Sequence, residues 1–112
     1  MREKPPSVLR APGKELWHAV VDRLDCTEVE LALVQEAAEC RDMIAELRKA
    51  VRRDGVLIPS TGGDRAHPGI EASRKYSERM SAIIGELKIP EDALAELPDT
   101  VKPLPLPSRK DA

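Results

Sequence analysis

TEVELALVQEAAECRDMIAELRKAVRRDG, residues 27–55, is the stretch whose reading decides the fold. Thr27 followed three residues later by Glu30 makes a capping box, because each side chain satisfies the other's free backbone donor at a helix start. Downstream, Leu33, Ala37, Cys40, Ile44, Leu47 and Val51 alternate four and three residues apart, which keeps one narrow apolar seam on one side of a helix. Asp54-Gly55 then supplies a left-handed stop. The spacing predicts one continuous helix of about 27 residues, roughly 40 Å long at 1.5 Å per residue.

Shorter elements flank this rod. Toward the amino end, Pro12 and Gly13 open a helix over about Lys14 to Leu24, where Leu16, Trp17, Val20, Val21 and Leu24 recur at helical spacing with Trp17 as main anchor. Residues 1–12 mix charge with Pro5, Pro6 and Pro12 and read as a flexible arm. On the other side, Val56-Leu57-Ile58, Pro59, the turn residues 60–64 and Arg65-Ala66-His67 read as a loop or small β-hairpin. Pro68-Gly69 opens a third helix, roughly Ile70 to Leu87, with Ile70, Tyr76, Met80, Ile83, Ile84 and Leu87 on one broad face. Pro90 breaks it, a turn or two follows to Leu97, and residues 98–112 form a proline-rich tail whose Lys102-Pro103-Leu104-Pro105-Leu106-Pro107 favours an extended polyproline conformation. The fold class is all-α (mainly helical) with extended termini: an arm (1–12), one helical domain (13–97) and a tail (98–112).

With one Trp, one Tyr and no Phe among 112 residues, the core has to be built from aliphatic side chains, which suits packed helices. Helices of about eleven and eighteen residues do not cover a 27-residue helix, so the seam of Leu33, Ala37, Cys40, Ile44, Leu47 and Val51 is expected at an interface between copies, against the plainer alternative of burial inside one subunit. No apolar leader and no run able to cross a bilayer appear, so a soluble, intracellular protein with no membrane partner is expected. In that compartment Cys26 and Cys40 are expected as reduced thiols.

No arrangement of residues supports catalysis. Gly62-Gly63 lacks the lysine and following helix of a phosphate loop and reads as a turn. His18 and Asp22 lie one helical turn apart, which suits an ion pair better than a metal site, and His18, Cys26, Cys40 and His67 contain no close ligand pair. Neither enzyme activity nor a cofactor or metal is expected.

Charge is segregated along the chain. Residues 14–46 carry three basic residues against nine acids, whereas 48–79 carry eight basic residues against Asp54, Asp64, Glu71 and Glu78. The eight are Arg48, Lys49, Arg52, Arg53, Arg65, Arg74, Lys75 and Arg79, candidates for one phosphate-tracking surface. Basic residues at a helix C-terminus also complement the macrodipole, and that simpler role competes with DNA contact.

The order of elements carries a resemblance. A short helix bearing Trp17, a long helix ending Arg52-Arg53-Asp54-Gly55, a glycine loop closing with His67-Pro68, and a third helix running into Gly85-Glu86-Leu87-Lys88-Ile89-Pro90 together resemble the P27-type family of phage terminase small subunits over roughly residues 12–95. The resemblance implies a ring-forming oligomer in the host cytoplasm that binds viral double-stranded DNA for genome packaging and regulates the terminase large subunit, with no catalysis of its own. It carries no DNA-contacting positions onto this chain. A helical protein-protein interaction adaptor without DNA binding, using the acidic amino half and the Pro-Leu tail, is the competing expectation.

Overall fold

The computed structural model describes residues 4–95 and Leu97. Its elements in chain order are α1 (Ala11–Val21), α2 (Glu28–Asp54), β1 (Leu57–Ile58), β2 (Arg65–Ala66), α3 (Pro68–Leu87) and α4 (Glu91–Ala95). The mainly helical architecture is as the spacing predicts. The expected conformation of the 98–112 tail lies outside the described residues.

The bounds of α2 follow from its two ends. The Thr27 backbone N–H donates to Glu30 Oε1 at 2.8 Å while the Glu30 N–H donates to Thr27 Oγ1 at 3.1 Å, so two orphan donors are satisfied reciprocally. At the other end Gly55 takes φ +93°, a region that disfavours any side chain, and its N–H donates to Val51. The chain then turns into a two-stranded antiparallel hairpin pairing Leu57 with Ala66 and Ile58 with Arg65. Gly63, at φ +111°, makes the tip, as the glycine pair predicts.

Helix α1 begins three residues earlier than its apolar spacing suggests, and a distant carboxylate is the reason. Arg10, its N-cap, makes no side-chain cap. Instead Asp42, in the middle of α2 and 9% exposed, accepts the Arg10 N–H at 2.8 Å through Oδ2 and the Gly13 N–H at 2.7 Å through Oδ1. A negative group on the amino end of a helix is favoured by both hydrogen bonding and the macrodipole. Gly13 is required for the approach, since a Cβ there would stand 2.6 Å from Asp42 Oδ2 and 2.8 Å from the Ala38 carbonyl oxygen.

The arm expected over residues 1–12 is consequently shorter. Leu9 is 3% exposed within the main core cluster, and Ala11 and Pro12 are already helical. The folded unit reaches back at least to Leu9, because one buried leucine and the Asp42 cap together outweigh what the prolines and charges of the arm suggest.

Both α1 and α3 run antiparallel to α2 on different flanks. On one flank Gly13 meets Asp42 and Glu15 pairs with Arg41; on the other Gly69 abuts Val51 and Arg79 pairs with Glu36. The core gathers Leu9, Leu16, Trp17, Val20 and Val21 against Val34, Ala37 and Ala38 of α2 and Ile83 of α3. Helix α4 packs on α1 and buries Ala93.

This arrangement overturns the seam as a free edge. Ala37, Cys40, Ile44 and Val51 are each 5% exposed or less inside one chain, and only Leu33 and Leu47 are half-buried. Twenty residues of α3, about 30 Å, run along the seam from Val51 down to the main core. Helix α3 covers most of α2 and α1 adds cover to its amino half, so neither has to match its length. Ala37, Ile44 and Val51 are thus covered within one chain, while Cys40 borders a groove shared by α2 and α3.

Candidate nucleic-acid interface

The eight basic residues do not form one surface. On α2, Lys49 and Arg52 line a groove of about 410 Å3 together with Arg10, Ala11, Pro12, Asp42, Ala45 and Glu46, on the α1 flank. On the other flank, Lys75 and Arg79 line a second groove of about 530 Å3 shared with Glu36, Glu39, Cys40, Met43, Ala72 and Tyr76. Helix α2 stands between the two.

Arg53, Arg74 and Arg79 each have their charge answered by a carboxylate within the fold. Arg53 grips Asp54 with two hydrogen bonds, Nε to Oδ1 at 2.8 Å and Nη2 to Oδ2 at 3.1 Å. Arg74 is held between Glu71 and Glu78, one turn either side of it on α3. Arg79 reaches across to Glu36 of α2 at 2.6 Å. Each of these ion pairs stabilises the arginine's charged form, and each lowers the net positive field that a phosphate would meet. Arg48 is half-buried, and burial, then the neighbouring Arg52, disfavour its charge. Lys49, Arg52, Arg65 and Lys75 are exposed.

What remains is a basic end rather than a basic stripe. The last turn of α2 presents Arg52 and Arg53 beside the hairpin carrying Arg65. A polar joint makes this end one unit. The His67 Nδ1 accepts the Gly69 N–H at 2.9 Å and so caps α3; the same tautomer directs Nε2–H at Asp54 Oδ2, 3.1 Å away. The His67 backbone N–H donates to the Val56 carbonyl at 2.8 Å, closing the hairpin onto α2. Asp54, bonded by Arg53 and His67, has its carboxyl held far below the ordinary carboxylate range.

Sequence reasoning missed two participants. Arg10 lies in the stretch read as an arm, yet it borders the α1-flank groove and pairs with Glu46 at 3.3 Å. Asp42 reads as one more solvated acid of a charged helix, and nothing in local spacing distinguishes it. His18 and Asp22 form the expected one-turn pair, Nδ1 to Oδ2 at 3.2 Å, on an exposed face of α1. Both thiols are free, with burial raising the pKa of each. Among the described residues no group of three or more His, Cys, Asp or Glu side chains is placed to hold a metal ion, and no helix is long and apolar enough to cross a membrane.

Comparison with known protein families, with characterised proteins and with solved structures finds no match to this chain.

Proposed function

We propose that this chain is the DNA-recognising small subunit of a phage terminase, acting in the host cytoplasm as a homo-oligomeric ring that presents viral double-stranded DNA to the large subunit. The observation that supports the reading is where the resembling residues fall: apart from Trp17, which is buried in the core, they cluster at joints. Gly55 ends α2, His67-Pro68 caps and opens α3, and Leu87-Lys88-Ile89-Pro90 closes α3 with Lys88 in the left-handed conformation. Residues spread over more than thirty positions thus fix the connections of one helical layout, which is the level at which a family likeness resides.

The DNA contact is assigned to Arg52, Arg53 and Arg65 at the hairpin end. Arg74 is set aside because two carboxylates hold it, Arg79 because it ties α3 to Glu36 of α2, and Arg48 because it is half-buried; Arg53 is bonded to the single carboxylate of Asp54 and stays exposed at this end. A few phosphate contacts per subunit give weak binding, and repetition around an oligomer multiplies them into useful affinity.

Gel retardation of double-stranded DNA over a salt series tests the assignment. Reversing Arg52 and Arg53 to Glu is expected to weaken binding on every sequence and to flatten the plot of log affinity against log salt by roughly two units. Binding that is unchanged in the double variant, or absent in the wild type at about 50 mM salt, rejects the assignment.

A further inference from the structure

The buried seam leaves association to some other surface, and the α1 flank of α2 offers one. Because α1 starts only at the level of Asp42, no other described helix flanks the part of α2 above it on that side. The groove there is lined by Ala11, Pro12 and Ala45, by the cationic side chains of Arg10, Lys49 and Arg52, and by the acids Asp42 and Glu46. Glu46 in the same groove is paired with Arg10, and Asp42 is occupied by the two backbone N–H groups it caps.

We infer that this groove receives the first turn of α2 from a second copy of the chain, with Val29 as the inserted side chain. Val29 is 72% exposed, more than Val8, Met43 or Leu57, the other large apolar side chains at the surface of the described residues. It stands at the acidic end of the molecule, where Asp22, Asp25, Glu28, Glu86, Glu91 and Asp92 are all exposed. A valine in an acidic setting suits a groove lined by alanine and proline whose basic residues outnumber its acids three to two. One molecule cannot fill its own groove: Val29 and Lys49 are twenty residues apart on one straight helix, about 30 Å. The contact therefore joins unlike surfaces of neighbouring copies, the kind that closes into a ring when its rotation closes. This inference rests on the packaging-ring reading for its purpose, though not for its geometry.

Sedimentation velocity of the full chain without DNA, at about 50 mM and at about 500 mM salt, tests it. The wild type is expected to associate more strongly at low salt. Val29→Asp and Glu28→Lys are each expected to weaken association about tenfold, and Lys49→Glu combined with Glu28→Lys to recover most of what either charge reversal loses. Unchanged helicity by circular dichroism separates lost association from lost folding. A wild type that stays monomeric, or an assembly indifferent to Val29→Asp and to both reversals, overturns the inference. Gel retardation in parallel keeps the two readings apart: DNA binding by a monomeric wild type sinks this interface and the ring but leaves the DNA contact standing, whereas an assembly that behaves as described but ignores DNA upholds the interface and sinks the packaging role.

Discussion

The two halves of α2 are the same helix held in different ways. Its amino half lies between α1 and α3 and is gripped by hydrophobic mass: Leu16, Trp17, Val20, Val21, Val34 and Ile83 are all buried there. Among the described residues its carboxyl half has α3 alone for a helical neighbour, a thin strip of Ile44 and Val51, and then a polar joint of Arg53, Asp54, His67 and Gly69. A fully buried large side chain contributes about 1.5–3 kcal/mol, whereas an exposed ion pair contributes about 0–1 kcal/mol. The amino half is therefore the stable body, and the hairpin end is a surface fixed by directional bonds.

The sharpest way to break this comparison is to remove the main anchor of the body. Trp17→Ala leaves a large void where α1 meets the core, and a loss of about 3–5 kcal/mol is expected. Thermal unfolding followed by circular dichroism measures it. A much smaller loss means that the core does not depend on α1, and the contrast between the halves then fails.

How much of this was legible in the sequence depends on how local each cause is. The ends of α2 were readable because Thr27 and Glu30 are three residues apart and Gly55 acts at its own position. The turn at Gly63 was readable for the same reason. The start of α1 was not, because the acid that caps it is 32 residues from Arg10 and 29 from Gly13, and a bond between distant elements leaves no periodic trace. The candidate DNA site divides along the same line. The holding of Arg74 by Glu71 and Glu78 was there to be read at three- and four-residue spacing, whereas the capture of Arg79 by Glu36, 43 residues away, was not. The seam misled for a further reason: its spacing specifies a partner helix, and α3 of the same chain satisfies that pattern as well as a second copy would.

The link between the halves gives the next prediction. Asp42→Ala strips the cap from α1 and leaves two backbone donors near the protein interior, for an expected loss of about 1–3 kcal/mol. Gly13→Ala keeps the carboxylate but drives a methyl group into it and into the Ala38 carbonyl, so it is expected to cost at least as much and to be partly relieved when combined with Asp42→Ala. Equilibrium urea unfolding of the two single variants and the double variant gives the coupling. Strictly additive losses mean that the close approach of α1 to α2 does not depend on this contact.

The smallest effect belongs to the hairpin end, and it depends on pH. The Asp54 carboxyl has an ordinary value of 3.8 and is held well below it, first by Arg53 and then by His67. A depressed carboxylate adds stability that is fully present above its unfolded-state value and drains away as pH falls through the folded one. The wild type is thus expected to lose thermal stability more steeply than Asp54→Asn once pH falls below about 4, with the difference draining away through about pH 2 and below as the two curves converge. Above about pH 5 the variant should be slightly the weaker of the two. Amide exchange locates the effect: protection at Gly69 and in the first turn of α3 should fall in Asp54→Asn, while protection around Val34 and Ala38 should not. Equal loosening in both places would mean that the polar joint and the hydrophobic body are one cooperative unit, and that α2 transmits strain along its length instead of separating a rigid end from a tunable one.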